Sequence, residues 1–238
     1  MTRDIVVMAA GEGTRLRPLT ERWAKPVLPI DGRPVLATLL RELAGAGLER
    51  VWLVSGHLAG QVERLAGDGS AFALDVRHVR QRRPAGAAQA VACAMEAGAE
   101  PPFLVSAADT VYTPGDVGRF ADAFAVSEAA GAIAIRPRLQ REHHVFVRVE
   151  QGRIVRVPDA SASGEVTAGP LMAAAEPVAR TLVAVCAPPY RPPYDVAQAY
   201  QAAIDEGHAI AAIEIGPTRD LTTPLDLVEE NFPYLRGL

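Results

Sequence analysis

Apolar residues in the amino-terminal half of the chain come in short runs, spaced evenly enough to read as a series of elements. Residues 4–10 (DIVVMAA) are a continuous run rich in Val and Ile that Gly11 ends, the pattern of a strand buried on both faces. Leu36, Leu39, Leu40 and Leu43 fall at i, i+3, i+4 and i+7, which predicts a helix over 34–44 with one apolar face. Residues 50–55 (RVWLVS) predict a second buried strand, 58–65 a helix, 74–79 an alternating strand and 87–97 a helix. Residues 102–107 (PFLVSA) predict a strand that runs into Asp109. This alternation is the rhythm of an α/β fold, a mostly parallel sheet with helices on both faces.

From Gly131 the rhythm changes. IAIRP, HVFVRVE and RIVRV crowd around the turn signal Gln151-Gly152, which predicts antiparallel strands and a local excursion. A Pro-rich connector at 187–194 (APPYRPPY) precedes a helix near 196–206, a strand at 208–215 and a short final helix from Pro224. No internal repeat or low-complexity linker interrupts the chain, so the expectation is a single domain over 1–238 with a β-rich insert near 131–175.

The 238 residues, 49% hydrophobic and 22% charged, have ordinary globular composition and exclude a disordered chain. The net charge of −4 and the lack of like-charge blocks give no footprint for nucleic acid, so any phosphate must be met in a pocket. The first apolar run is too short for a secretory signal, Asp4 lies in its flank, and no run reaches membrane-spanning length; a cytoplasmic location without membrane partners is expected. Cys93 and Cys186 have no CxxC or His partner at metal spacing and are expected to be buried thiols. Of 24 basic residues, one alone is lysine, Lys25, and it stands just behind a glycine-rich loop.

That loop is Gly11-Glu12-Gly13-Thr14-Arg15, at the carboxyl end of the first strand, where open α/β sheets bind ligands. Two glycines let backbone N–H groups approach and surround an anion. Leu16 stands where a dinucleotide fingerprint needs a small residue, which disfavours a nicotinamide-dependent dehydrogenase, and the Gly-Lys-Ser/Thr of a Walker loop is missing. Pro18 and Pro26 bar a regular helix, so Arg15 and Lys25 are expected on a stiff extended loop. Arg15 offers a planar fork for two phosphate oxygens and Lys25 a compact charge that can follow one. Asp109 and Asp220 each follow a strand, and each precedes a helix-start signal, Thr113-Pro114-Gly115-Asp116 and Thr223-Pro224-Leu225-Asp226. Two such carboxylates, with waters and substrate phosphates, suit Mg²⁺.

The stretches AAGEGTRLRPLT and KPVLPIDGRPVL resemble the opening signature of the sugar-1-phosphate nucleotidylyltransferases. Gly67-Asp68-Gly69-Ser70, the segment from Gln81 to Ala90, FLVSAAD and RDLTTPLDL are similar to later motifs of that family, in the same order. The resemblance implies a Rossmann-like domain without a left-handed β-helical domain. It also implies an NTP, a phosphorylated small-molecule acceptor and Mg²⁺, with pyrophosphate as leaving group. It implies nucleotide contacts at Ala10, Gly11, Gly13, Thr14, Gln81 and Gly86, catalytic roles for Arg15, Lys25 and Asp109, and metal ligation by Asp109 and Asp220. Thr167-Ala168-Gly169 resembles the acceptor-facing element, implicating Thr167 and Gly169.

The match departs in the middle. Members acting on hexose phosphates usually carry a Glu-Lys pair there, the Lys on the acceptor phosphate, but this chain has no second lysine. Arg136, Arg148 and Arg156 are the candidates to replace it, or the acceptor differs, phosphocholine or inositol phosphate in a cytidylyltransferase, or the chain is a nucleotide sensor without turnover. His143-His144, beside Arg141 and Glu142, reads as a solvated turn, since adjacent strand residues face opposite ways. Nucleobase, acceptor and any homo-oligomer are left open.

Overall fold

The computed structural model describes residues 3–137, 145–158 and 166–232. Strand β1 (Asp4–Ala9) leads through three single 3₁₀ turns to a small hairpin, β2 (Pro29–Ile30) and β3 (Arg33–Pro34). There follow α1 (Val35–Gly45), β4 (Arg50–Ser55), α2 (Ala59–Ala66), β5 (Asp75–Arg80), α3 (Ala87–Glu96) and β6 (Phe103–Ala107). Next come β7 (Thr110–Val111), α4 (Asp116–Val126), β8 (Gly131–Pro137), β9 (Arg148–Glu150), β10 (Arg153–Arg156) and β11 (Val166–Ala174). The chain continues with α5 (Glu176–Ala184), α6 (Val196–Asp205), β12 (Ile210–Glu214), β13 (Arg219–Asp220) and α7 (Pro224–Asn231).

Nine strands form one sheet in the order β5-β4-β1-β6-β11-β8-β12-β10-β9. Its β5-β4-β1-β6 section is parallel, as expected of buried strands joined by helices. Side chains alternate between the two faces: Ile5, Val7, Val51, Leu53 and Leu104 join a core with α1 and α4, while Val6, Trp52, Val54, Phe103 and Val105 join a second core with α3, α5 and α6. The fold is therefore the Rossmann-like α/β arrangement, with a mixed sheet.

The β-rich stretch is not peripheral. β8 and β11 are interior strands: β11 runs antiparallel between β6 and β8, and β8 runs parallel to β12. Only the β9–β10 ribbon lies at an edge. Hydropathy cannot separate these cases, because an interior strand of a mixed sheet and a strand of a separate unit bury the same residue types. Helix α5 is likewise unannounced by the sequence pattern, although Pro177 occupies its first turn. Cys93 and Cys186 are half-buried rather than enclosed, and burial raises both thiols above their usual pKa.

Candidate active site

At the carboxyl ends of β1 and β6 a cleft of about 440 Å³ is lined by Ala10, Gly11, Gly13, Thr14, Arg15, Lys25, Gln81, Gly86 and Asp109. The loop that floors it is neither helix nor extended strand. It runs in three 3₁₀ turns, Thr14–Leu16, Leu19–Glu21 and Lys25–Val27, which corrects the extended loop inferred from Pro18 and Pro26. Proline bars a long helix, but a single i→i+3 turn tolerates one. Among the described residues, the backbone N–H groups of 11–15 have no protein acceptor; the first to find one is Leu16, on the Gly13 carbonyl at 2.9 Å. A run of N–H groups without protein acceptors, in a loop that lines a cleft, suits an anion.

The two glycines serve differently. Gly13 has φ +62°, and a Cβ there would lie 2.9 Å from Thr20 Cγ2, so both conformation and space demand glycine. A Cβ on Gly11 would meet nothing within 4 Å. The loop is braced from outside: the Thr20 hydroxyl donates to the Gly13 carbonyl at 2.9 Å, and the Ala24 N–H donates to Gln61 of α2 at 2.9 Å. Leu16, where a dinucleotide loop needs a small residue, is 1% exposed and packs with Leu28, Ile30, Val35 and Leu221. That small core ties the loop to the segment bearing Asp220.

Lys25 Nζ and Asp109 form an ion pair across the cleft, with side chains 18% and 26% accessible. Asp109 is held there by β6, by the Ala108 N–H on the Met8 carbonyl, and by β7, which begins one residue on. β7 pairs antiparallel with β13, Thr110 opposite Asp220, so two carboxylates 111 positions apart in sequence become near neighbours. Thr222, a cleft residue that the sequence reading overlooked, donates its hydroxyl to Asp220 at 3.0 Å. The adjacent Arg219 grips Asp31 with two nitrogens and also binds Glu230, which fixes β13, and the Asp31 bond raises its pKa further.

The two helix-start signals part company. Thr223 caps α7 in a full capping box with Asp226. Thr113 does not cap α4: Gly115 does, at φ +83°, while Thr113 donates to the Pro217 carbonyl at 2.9 Å. Asp116, 1% exposed, accepts from the Gly216 N–H at 2.9 Å and from Arg119. Thr113 and Asp116 thus tie α4 to the loop before β13.

Gln81 is 8% exposed, not a solvated loop residue. Its amide nitrogen donates to the Gly86 carbonyl at 2.9 Å and to Gln89 Oε1, while Gln89 donates to Cys93 Sγ at 3.0 Å. Gly86 has φ +110°, and a Cβ there would lie 2.3 Å from the Tyr194 carbonyl oxygen. Tyr194 brackets the loop, accepting from the Ala88 N–H at 3.0 Å and donating to the Ala85 carbonyl at 2.7 Å. The Pro-rich connector therefore braces this wall of the cleft. Gly67-Asp68-Gly69-Ser70 lies outside the cleft lining: Asp68 accepts from Ser70 N–H and hydroxyl at 3.0 and 2.6 Å, a turn that launches β5.

The nucleotidyl transferase family model matches residues 5–167. The chain belongs to the nucleotidyl transferase family. A glucose-1-phosphate thymidylyltransferase of Streptomyces griseus is 30% identical over 240 residues, covering 95% of this chain and 64% of the relative. The chain thus spans less than two thirds of that relative's length. A solved Bacillus anthracis protein, assigned as a glucose-1-phosphate thymidylyltransferase and in complex with sucrose, superposes with TM-score 0.84 over 99% of this chain and 96% of that one, at 16% identity. The inositol-1-phosphate CTP transferase from T. maritima superposes with TM-score 0.80 over 100% and 98%, at 20% identity. At such identities the likeness is one of fold.

Beside the cleft of this nucleotidyltransferase family member lies a smaller cavity, which Gly169, Arg136 and Asp220 help to line. Thr167 is not on its wall: it is fully buried, its hydroxyl 3.5 Å from the Arg136 carbonyl. Arg148 and Arg156 are paired in register and exposed on the edge ribbon, and neither lines the cavity. His143 and His144 lie outside the described residues. No described helix is long and apolar enough to cross a membrane.

Proposed function

We propose that this chain transfers a nucleotidyl group from an NTP to a sugar 1-phosphate, releasing pyrophosphate. The observation that supports this best is the Lys25–Asp109 pair set across a cleft whose floor is open N–H groups. In this reading the β- and γ-phosphates lie on residues 11–15 with Arg15 over them. The Lys25 ammonium leaves Asp109 for the α-phosphate. An acceptor phosphate oxygen attacks the α-phosphorus, forming the new O–P bond as the bond to the β-phosphate oxygen breaks in line. Such a transfer asks the protein mainly for positioning and for charge opposite the leaving oxygens.

Asp109 and Asp220 fit Mg²⁺: both are hard oxygen donors brought together by the β7–β13 ladder, and two carboxylates with substrate phosphates are a usual Mg²⁺ set. Among the described residues no group of three or more His, Cys, Asp or Glu competes as a metal cage. When bound, the ion would supply positive charge against the phosphate oxygens. Lys25 and the 11–15 amides, for their part, hold the triphosphate still.

The carboxamide nitrogen of Gln81 is committed to Gly86 and Gln89, which leaves its oxygen to meet a base. An acceptor there takes a hydrogen from the base, a ring N–H of thymine, uracil or guanine or an amino group of cytosine or adenine. The Streptomyces griseus relative makes dTTP with glucose 1-phosphate the first pair to try. The test is a pyrophosphate-release screen crossing NTPs with sugar 1-phosphates, phosphocholine and inositol phosphate, with and without Mg²⁺. Release with a sugar 1-phosphate is expected. NTP binding without release from any acceptor would instead make the chain a nucleotide sensor.

A further inference from the structure

The loop that carries Lys25 has little regular structure of its own, three single 3₁₀ turns between β1 and β2. A rigid neighbour holds it. Helix α2 buries Ala59, Val62 and Ala66, and the two oxygens of its Glu63 take the Arg80 guanidinium of β5. The turn that launches α2 packs on the end of β1: the His57 main-chain N–H donates to the Ala10 carbonyl at 3.3 Å, and a Cβ on Gly56 would lie 2.8 Å from that oxygen. Leu58 closes the turn at φ +49°, a left-handed conformation that such a residue keeps only where its surroundings impose it.

From this base two side chains, four residues apart across the start of α2, reach the loop. His57 Nε2 lies 2.7 Å from the Thr20 carbonyl, and since a carbonyl only accepts, that nitrogen carries a hydrogen. Gln61 makes two bonds. Its Oε1 accepts from the Ala24 N–H at 2.9 Å, and its Nε2 donates to the Arg22 carbonyl at 2.7 Å. Main-chain groups of residues 20, 22 and 24 are thus held from one side, and the next residue is Lys25. Ala24 is 2% exposed, so without Gln61 an enclosed N–H would lose its acceptor, which favours a shift of the segment. The Ala24 carbonyl in turn accepts from the Val27 N–H at 3.0 Å, closing the turn on which Lys25 sits. The lysine stem packs beside Gly13, where an added Cβ would lie 3.4 Å from Lys25 Cβ, and its ammonium meets Asp109 across the cleft.

We propose that Gln61 is a positioning residue for Lys25: by taking the main chain on both sides of Trp23, it fixes the point from which the ammonium reaches Asp109 and, in the reaction, the α-phosphate. The inference rests, for that last step, on the function proposed above. A carboxamide suits the task because it offers one acceptor and a donor, as a peptide group does, whereas a hydrocarbon of the same length offers neither. A catalytic group displaced by about 1 Å can lose about 10²-fold in rate, so the clip bears on turnover without touching substrate.

Lys25 is the single lysine of the chain, so protein grown on ¹³Cε-labelled lysine gives one lysine signal that reports on it directly. Gln61→Met keeps the length of the side chain and removes both bonds. It is expected to move the Lys25 ¹³Cε–¹Hε signal toward the position found in Asp109→Asn, where the ion pair is gone. Gln61→Glu, which again gives the Ala24 N–H an acceptor, is expected to move the signal less. A signal at the wild-type position in both variants overturns the proposal. In kinetics, Gln61→Met is expected to lower kcat about tenfold with the NTP KM within about twofold of wild type, and to have no further effect in the Lys25→Ala background. A tenfold loss that persists in that background overturns the proposal, because Gln61 would then serve the fold and not the lysine. A moved signal, with Lys25→Ala turning over at the wild-type rate, supports the positioning role and counts against the function proposed above.

Discussion

The cleft at the ends of β1 and β6 is floored by backbone, whereas the cavity beside it is walled by side chains. In the cleft, residues 11–15 present N–H groups, and Gly13 and Gly86 are held at φ +62° and +110° against neighbours that leave no room for a Cβ. In the cavity, Ile133, Val157 and Met172 supply shape and Arg136 the charge. Backbone recognition restricts sequence sharply, because few residues besides glycine adopt those conformations. Side-chain walls restrict it loosely, since many apolar residues fill the same space. One half of such a site can thus retain its pattern while the other changes with its ligand.

Removing charge from the cleft should have the largest effect. Lys25→Ala and Asp109→Asn are each expected to lower turnover by about 10³-fold while the melting temperature stays near wild type. Pyrophosphate release by either variant near the wild-type rate would remove the cleft from the chemistry. The two glycines provide a finer division. Gly13→Ala should destabilise the fold by about 1–2 kcal/mol in chemical denaturation, because its φ is left-handed and Thr20 is in the way. Gly11→Ala, with open space around it, should leave stability unchanged. Equal stability in the two variants would refute the distinction.

Smaller effects probe the walls. Gln89→Leu removes one of the two acceptors that orient the Gln81 amide, and the calorimetric affinity for dTTP should fall by about tenfold. Unchanged affinity would mean that Gly86 alone sets the amide. Away from the site, Glu63 is held below the usual carboxylate pKa chiefly by its hydrogen bond from Arg80. A lowered folded pKa gives stability that is present above the unfolded value and lost as pH falls through the folded one. Wild type should therefore lose stability on acidification below the ordinary carboxylate range, and Glu63→Gln should lack that part of the loss in denaturation at stepped pH.

The same division explains what could be read from the chain itself. Strands β1, β4 and β6 were legible because they are buried on both faces and flanked by glycine, proline or polar breaks. The cleft was legible because Gly11, Gly13, Arg15, Lys25 and Asp109 sit at the ends of those strands. The place of β8 and β11 was not, because strand order depends on long-range pairing that local pattern does not carry. Nor was the placement of Arg136, Arg148 and Arg156: the first lines the second cavity, and the other two stand exposed on the edge ribbon. Thr167 and Gly169 were read as one element, and a regular pleat would set both on one face; the slip of β11 after Ala168 parts them, leaving Thr167 enclosed and Gly169 on the cavity wall.

The most direct measurement is a crystal structure of the protein with a non-hydrolysable dTTP analogue and Mg²⁺. The expected result is a triphosphate lying on the N–H groups of 11–15, with the Lys25 ammonium moved from Asp109 to the α-phosphate. A nucleotide bound elsewhere, with Lys25 still paired to Asp109, would contradict the account.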